Sequence, residues 1–194
     1  MTFPASDPVA ISRGDERRWR APEDDMGDKA TDRTRTIRWE DPLATAARGR
    51  EMSGLELLQA IRDGRLPPPP IAVLMGFSIV ALGEGRVTFA VTPAEYHYNP
   101  IGVVHGGVAA TLLDTVMGCA VQSQLPRGRA YTTLDVQVRY LRPLTLETGR
   151  VLGMGLVVHA GGRIATAEGR ITDEAGRLYA TGTSSCLLFD IPAR

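Results

Sequence analysis

Apolar and polar positions divide the chain into a polar first quarter and a longer part with regular apolar periods. Between Gly106 and Gln124 the apolar residues surround the axis of a helix on nearly every side, which predicts a buried helix. Strand-like patterns lie before and after it, at residues 75–82, 86–91, 131–141, 150–159, 164–172 and 178–189. Two strands, a buried helix and four further strands in antiparallel succession predict an α+β fold, with a curved antiparallel sheet wrapped around one long central helix.

The glycine-rich segments between the predicted strands indicate hairpin turns. Gly-Glu-Gly at 83–85 joins the first two strands, and Gly161-Gly162 and the Glu-Ala-Gly segment at 174–176 separate the last three. Connections this short favour sequential antiparallel pairing.

The first 50 residues differ from the rest in composition. They hold ten Lys or Arg and ten Asp or Glu residues, without a sustained apolar period. Such a segment is typical of an extension outside the core, flexible or folding only against a partner surface. We therefore predict a charged N-terminal extension at 1–50 and a domain at 51–194, with its core at about 71–190.

A short helix is predicted at the start of this domain. Ser53 is placed as an N-cap, with Glu56 completing a capping box and Gly64 as the C-terminal stop. The four prolines at 67–70 then predict a stiff extended spacer, after which strand periodicity begins at Ile71.

Composition excludes several classes of function. The formal net charge is zero, which argues against a nucleic-acid partner. No apolar run reaches the roughly 20 residues of a membrane span, and the N-terminus lacks the apolar core of a secretory signal. Cys119 and Cys186 lie in apolar segments without CxxC spacing, so they are interpreted as reduced core residues of a cytoplasmic protein.

Candidate chemistry centres on the entry to the buried helix. Gly106 and Gly107 stand at the start of the predicted helix, where unpaired backbone N–H groups point outward and carry positive partial charge. Such N–H groups can bind an oxyanion, and glycine lets a ligand approach them closely. A tight turn into the helix would also require two glycines. Asp114 is the only charged residue between Glu95 and Arg127, in an otherwise apolar helix. An unpaired carboxylate there would cost several kcal/mol. It is therefore a structural cap, a general base that activates water, or a nucleophile.

Two polar residues precede this helix. The side-chain amide of Asn99 is suited to hold a water molecule or the thioester carbonyl. His105 is suited to orient the loop through its ring nitrogens or to donate a hydrogen bond to the substrate carbonyl. No second histidine stands at metal-ligand spacing, so we predict no metal site, and no GxSxG elbow indicates an α/β-hydrolase.

The segment resembles the signature of the phenylacetic-acid-degradation (PaaI-like) branch of the hotdog-fold thioesterases. That pattern is His-x-Asn-x-x-Gly-x-x-His-Gly-Gly, followed by an Asp seven residues beyond the second glycine. It is matched here by His97, Asn99, Gly102, His105, Gly106, Gly107 and Asp114. The resemblance covers residues 71–190 and implies the hotdog fold and hydrolysis of acyl-CoA without a cofactor.

The resemblance also implies how a site is built. Homodimers would place two central helices side by side, often paired again into tetramers. Each site would combine Asn99, His105 and the Gly106 backbone of one subunit with Asp114 of the other. The family's Ser or Thr after the helix corresponds to Thr133, with Thr132 as the alternative in register.

Coenzyme A contacts are implied at two places. One is the Tyr-x-x-Pro stretch and the edge after it, with Tyr140, Arg142 and Pro143. The other is the next hairpin, with His159, Gly161, Gly162, Arg163 and Ile164, where Arg163 is the expected phosphate partner. The Ala-Gly-Gly tip at 160–162 offers fewer polar side chains than similar proteins have.

Two other functions stay open on sequence grounds. A hotdog hydratase or dehydratase would use His105 as base and Asp114 as acid, but the His-Gly-Gly entry to the helix favours hydrolysis. A non-catalytic acyl-CoA-binding module would need no carboxylate, so the complete Asn, Gly and Asp set argues against it.

Overall fold

The computed structural model describes residues 33–192, and from Thr36 onward these residues form one compact unit. The elements, in chain order, are α1 (Pro42–Gly49), α2 (Gly54–Arg62), α3 (Pro70–Met75), β1 (Ser78–Gly83), β2 (Arg86–Val91), α4 (Gly106–Gln122), β3 (Arg129–Tyr140), β4 (Val151–Ala160), β5 (Ile164–Asp173) and β6 (Leu178–Asp190). Short 3-10 turns occur at Glu95–His97 and Leu146–Thr148. The hotdog architecture predicted from the sequence is confirmed: one long helix is buried against one antiparallel sheet.

The order of strands in the sheet is β1-β2-β4-β5-β6-β3. The prediction of four strands in antiparallel succession is therefore wrong at one join, because β3 does not pair with β4. It pairs with β6 at the edge, while β4 pairs with β2. The chain between β3 and β4 is a ten-residue connection (141–150) with a proline rather than a tight turn, so it carries the chain across the sheet.

Three glycines in two strands, β4 and β5, lie on the surface against which α4 packs. A Cβ at Gly155 would overlap the Val116 carbonyl oxygen, and one at Gly153 would lie 2.7 Å from Leu112 Cγ. A Cβ at Gly169 would lie 3.0 Å from Leu113 Cδ2. The helix backbone therefore approaches the sheet more closely than any larger residue would allow. We call Gly153, Gly155 and Gly169 the glycine seat.

The segment before the sheet contains three helices rather than one. The predicted capping box is present in α2, where Glu56 N–H donates to Ser53 Oγ at 3.3 Å and Ser53 N–H donates to Glu56 Oε2 at 2.8 Å. α1 was not predicted, because it lies in the charged segment and buries a single glycine, Gly49, beside Leu57. Residues 1–32 of the predicted extension lie outside the described residues.

The strand predicted at 75–82 begins too early. Pro70 starts α3 instead of ending the extended spacer, because a proline at the first helical position loses no hydrogen bond and already has a helical φ. Gly76 then ends the helix with φ +71°, and β1 starts at Ser78. α4 ends at Gln122, two residues before the predicted end. None of the described helices is long and apolar enough to span a membrane.

Candidate active site

His105 is the N-cap of α4. Its Nδ1 accepts from the Gly107 N–H at 2.9 Å, and its carbonyl accepts from the Val108 N–H at 2.9 Å. An accepting Nδ1 leaves the ring proton of the neutral form on Nε2, which belongs to an exposed side chain. Gly106 N–H has no hydrogen-bond partner among residues 33–192. Of the described residues, Gly106 therefore supplies a free backbone donor at the first turn of α4.

Asn99 is held in a tight loop. Its Oδ1 accepts from the Ile101 N–H at 3.1 Å and the Val103 N–H at 3.3 Å, while its own N–H donates to the Val103 carbonyl at 2.8 Å. Because both backbone bonds fall on the oxygen, the amide nitrogen is free to donate. Asn99 thus offers a donor rather than an acceptor to a bound group.

A cleft of about 340 Å³ connects the loop, the start of α4 and the end of β3. Of the predicted residues it is lined by Asn99, His105, Gly106, Tyr140, Arg142 and Pro143. Leu141, Leu144 and Tyr179 also line it but were not predicted. Tyr179 belongs to β6, and only the pairing of β6 with β3 brings it here, so no local sequence signal indicates it.

Asp114 lies on a different part of the helix. It is half-buried, and Thr133 Oγ1 donates to its Oδ1 at 3.0 Å. This contact places Thr133, rather than the exposed Thr132, beside the carboxylate. A bulge at Leu134 follows, so that Thr133 and Asp135 pair with the consecutive residues Cys186 and Ser185.

Two weakly acidic groups lie near Asp114, the Cys119 thiol and the Tyr131 phenol, and neither was predicted to belong to the site. Burial raises the pKa of the Cys119 thiol to about 12, and the Asp114 carboxylate adds to this shift. Burial also raises the pKa of Tyr131 well above its ordinary value, with smaller contributions from Cys119 and Asp114. The Tyr131 hydroxyl lies where a Cβ of Gly118 would otherwise be. Both groups therefore stay protonated near neutral pH.

Within one chain the two halves of the predicted site are far apart. Asp114 follows Gly106 by eight residues, which is a rise of about 12 Å along a helix. The predicted coenzyme A contacts are also divided: Tyr140 ends β3, while the hairpin of Gly162 lies beside Arg129 at the start of β3. The two ends of β3 are separated by roughly 35 Å. One chain therefore does not bring all predicted site residues to one point.

The β4–β5 hairpin is positioned largely by backbone contacts. Arg129 Nη2 donates to the Gly162 carbonyl at 2.7 Å, and the Arg163 carbonyl accepts from the Leu188 N–H at 2.8 Å. Arg142, at the other end of β3, donates through Nη1 to the Leu178 carbonyl.

Within residues 33–192, no three His, Cys, Asp or Glu side chains are grouped as a metal site.

Comparison with known proteins identifies the family to which this chain is similar. Residues 101–180 match the family model described as the thioesterase superfamily. A protein of Halobacterium salinarum is 45% identical over 99 residues, which are 48% of this chain and 64%, or less than two thirds, of that protein. Human acyl-coenzyme A thioesterase 13 is 31% identical over 111 residues, 57% of this chain and 78% of that protein.

A solved structure agrees with these matches. The phenylacetic acid degradation-related protein of Ralstonia eutropha superposes with a TM-score of 0.62 at 26% identity, covering 67% of this chain and 98% of that chain. The likeness to the phenylacetic-acid-degradation type is thus confirmed, and the family-model match at 101–180 includes α4 and strands β3, β4 and β5.

Proposed function

We propose that this chain, which belongs to the thioesterase superfamily, is a thioester hydrolase that cleaves acyl- or aryl-coenzyme A thioesters to the free acid and coenzyme A. The observation that carries this proposal is the pair of free donors in one cleft, the Gly106 N–H and the Asn99 amide. Donors at a helix start stabilise the negative charge that develops on a thioester carbonyl oxygen.

The reaction proposed for this site needs a carboxylate near the carbonyl carbon. Asp114, oriented by Thr133, attacks that carbon directly or takes a proton from the attacking water. In the first route the C–S bond breaks as the carboxylate forms a mixed anhydride with the acyl group, and water then hydrolyses this anhydride and regenerates Asp114. In the second route the C–S bond breaks after water has added to the carbonyl carbon. In both routes coenzyme A leaves as a thiolate that takes up a proton, and water supplies the second oxygen of the acid. The mechanism uses side chains and backbone of the protein, without a metal or redox cofactor.

A homodimer is proposed to bring the two halves together. The half-buried positions of α4 lie three or four residues apart and so share one face, which is formed by Gly107, Ala110, Thr111, Asp114, Thr115, Cys119 and Gln122. Ala110 lies midway between Gly106 and Asp114. Two antiparallel copies of α4 that cross at Ala110 would therefore set Asp114 of one subunit against Gly106 of the other. We extend the proposal to a dimer of such dimers, as the family resemblance implies.

The same geometry joins the divided coenzyme A contacts. The hairpin of Gly162 pairs through β5 and β6 with the end of β3 that holds Thr133, so it accompanies Asp114. Tyr140, Arg142 and Pro143 accompany Gly106 in the cleft. One coenzyme A would then contact the cleft of one subunit and the hairpin of the other, including His159, Gly161, Arg163 and Ile164. The two free cysteines fit a cytoplasmic location, where thiols stay reduced.

Thiol release from a panel of short, medium, long and aromatic acyl-CoA esters tests the proposal. The unaltered protein is expected to release coenzyme A, and Asp114→Ala is expected to abolish release while the oligomer stays folded. Hydration of an enoyl-CoA without thiol release, binding without turnover, or a fully active Asp114→Ala variant would contradict it.

A matched pair of variants tests the role of Thr133. Thr133→Val removes a hydrogen bond to a carboxylate, which is expected to lower kcat by a factor on the order of 10 to 100. Thr132→Val alters an exposed neighbour on the opposite face of the strand and is expected to keep kcat near the unaltered value. Equal losses in the two variants would show that Thr133 has no special role.

A further inference from the structure

Tyr140 stands at the end of β3, over the first residue of α4. We infer that Tyr140 is a positioning residue, whose hydroxyl holds the Gly106 peptide so that the free Gly106 N–H stays directed into the cleft. This inference rests on the proposed function, since it concerns the group that would bind the thioester oxygen. It assigns the hydroxyl a role separate from the coenzyme A contact expected of the tyrosine ring.

The contacts between Tyr140 and Gly106 are direct. The Tyr140 hydroxyl donates to the Gly106 carbonyl at 3.2 Å. A Cβ at Gly106 would lie 3.3 Å from Cε1 and Cζ of the same ring, so the ring occupies the space where a side chain would begin. Tyr140 is 56% exposed in the single chain, so its ring lies over Gly106 at the surface.

Glycine at position 106 allows a ligand to approach the backbone closely, but its backbone dihedral angles are less restricted than those of other residues. The peptide before Gly106 is restrained, because the His105 carbonyl accepts from the Val108 N–H at 2.9 Å. The peptide after it is restrained at its N–H by His105 Nδ1, which accepts from Gly107 at 2.9 Å, and at its carbonyl by Tyr140 from outside the helix. A carbonyl oxygen has two lone pairs, so this bond is compatible with a helical one. These restraints together fix the glycine whose N–H is free.

Restraint of a donor has a kinetic consequence. A donor that is already oriented stabilises the transition state without reorganisation, whereas a mobile one loses part of that effect. Loss of one neutral hydrogen bond of typical strength corresponds to roughly a fivefold change in rate. The effect should fall on kcat, because the developing oxyanion needs the donor more than the ground-state carbonyl does.

Tyr140→Phe is the test, because it keeps the ring and removes the hydroxyl. The matched control is Tyr98→Phe, since the Tyr98 hydroxyl also bonds to a backbone group, accepting from the Leu146 N–H at 2.9 Å, but does not contact Gly106. Both variants and the unaltered protein are assayed with an acyl-CoA and with the same acyl group on N-acetylcysteamine, which lacks the nucleotide and most of the pantetheine.

We expect Tyr140→Phe to lower kcat roughly fivefold on both substrates, with KM changed less than about twofold, and Tyr98→Phe to keep kcat near the unaltered value. A rise in KM confined to the acyl-CoA would instead identify the hydroxyl as a coenzyme A contact and overturn the inference. An equal loss of kcat in Tyr98→Phe would also overturn it.

A measurement that does not depend on turnover separates this inference from the proposed function. Amide ¹⁵N relaxation at Gly106 is expected to show a lower order parameter in Tyr140→Phe than in the unaltered protein. An unchanged order parameter would overturn the inference even in an active enzyme. Failure of the unaltered protein to cleave any thioester would instead refute the proposed function.

Discussion

Mixing two inactive variants is expected to restore activity, because each contributes the half of the site that the other lacks. One variant is Asn99→Ala, which removes the amide donor from the cleft, and the other is Asp114→Ala, which removes the carboxylate. The two positions cannot act on one carbonyl within a chain, since Asp114 lies about 12 Å along α4 from the start of the helix beside the cleft. A dimer with shared sites needs one of each from different subunits.

The expected recovery follows from counting sites. A mixed dimer has one site with both substitutions and one site with neither. Random exchange between equal amounts of the two variants makes half of the dimers mixed, so roughly one quarter of all sites are intact. Activity of the mixture is therefore expected near one quarter of that of the unaltered protein, from two preparations that each have almost none.

The assay is thiol release after co-expression of the two variants with different affinity tags, so that mixed dimers are purified by both tags. These purified dimers are expected to have half the activity of the unaltered protein, because one of their two sites is complete. A double variant, Asn99→Ala with Asp114→Ala, co-expressed with the unaltered chain gives the matched control. Mixed dimers without activity, while that control is active, would refute a site shared between subunits.

Two further outcomes concern the packing around α4. Gly155→Ala is expected to lower the free energy of unfolding by about 3 kcal/mol or more in urea titrations, because its Cβ would overlap the Val116 carbonyl. The control Gly83→Ala should change this free energy little, because its Cβ would meet only ordinary contacts. Equal losses in the two variants would contradict the reasoning. The raised pKa of Cys119, about 12 against an ordinary 9.0, means that the unfolded chain loses this proton first. Stability from the protonated thiol is thus complete below about pH 9 and lost as pH rises towards 12. Urea titrations at pH 8 and pH 10.5 are expected to show a smaller loss in Cys119→Ala than in the unaltered protein, and an identical loss would contradict this assignment.

Local patterns were enough to predict most elements of the fold. The bounds of β2 and the capping box of α2 follow from residues that are neighbours in sequence. The apolar segment of α4 is too long for a strand and therefore predicts a buried helix. α1 and α3 could not be predicted in this way. α1 has a polar sequence and one buried glycine, and α3 begins with a proline that the spacer also explains.

The site was predictable where its residues share one segment, and less so across strands. The donors of Gly106 and Asn99 were predicted from the loop and helix start. Thr133 was expected from the family resemblance, with Thr132 as the alternative in register, and only the hydrogen bond between Thr133 and Asp114 distinguishes the two. The contact of the Tyr140 hydroxyl likewise depends on where β3 ends relative to the helix.

The glycine seat has a consequence for the precision of the chemistry. Gly155 lets the helix backbone at Val116 lie directly on the sheet, and Gly153 and Gly169 leave room for the Leu112 and Leu113 side chains, so a larger residue at any of the three would push α4 away from the strands. Such a shift of α4 would change the distance between Asp114 and Thr133, which are joined by a hydrogen bond of 3.0 Å. A displacement of about 1 Å in such a group can cost a hundredfold in rate. Substitutions in the glycine seat are therefore expected to lower activity by displacing the Asp114 carboxylate, in addition to lowering the stability of the fold.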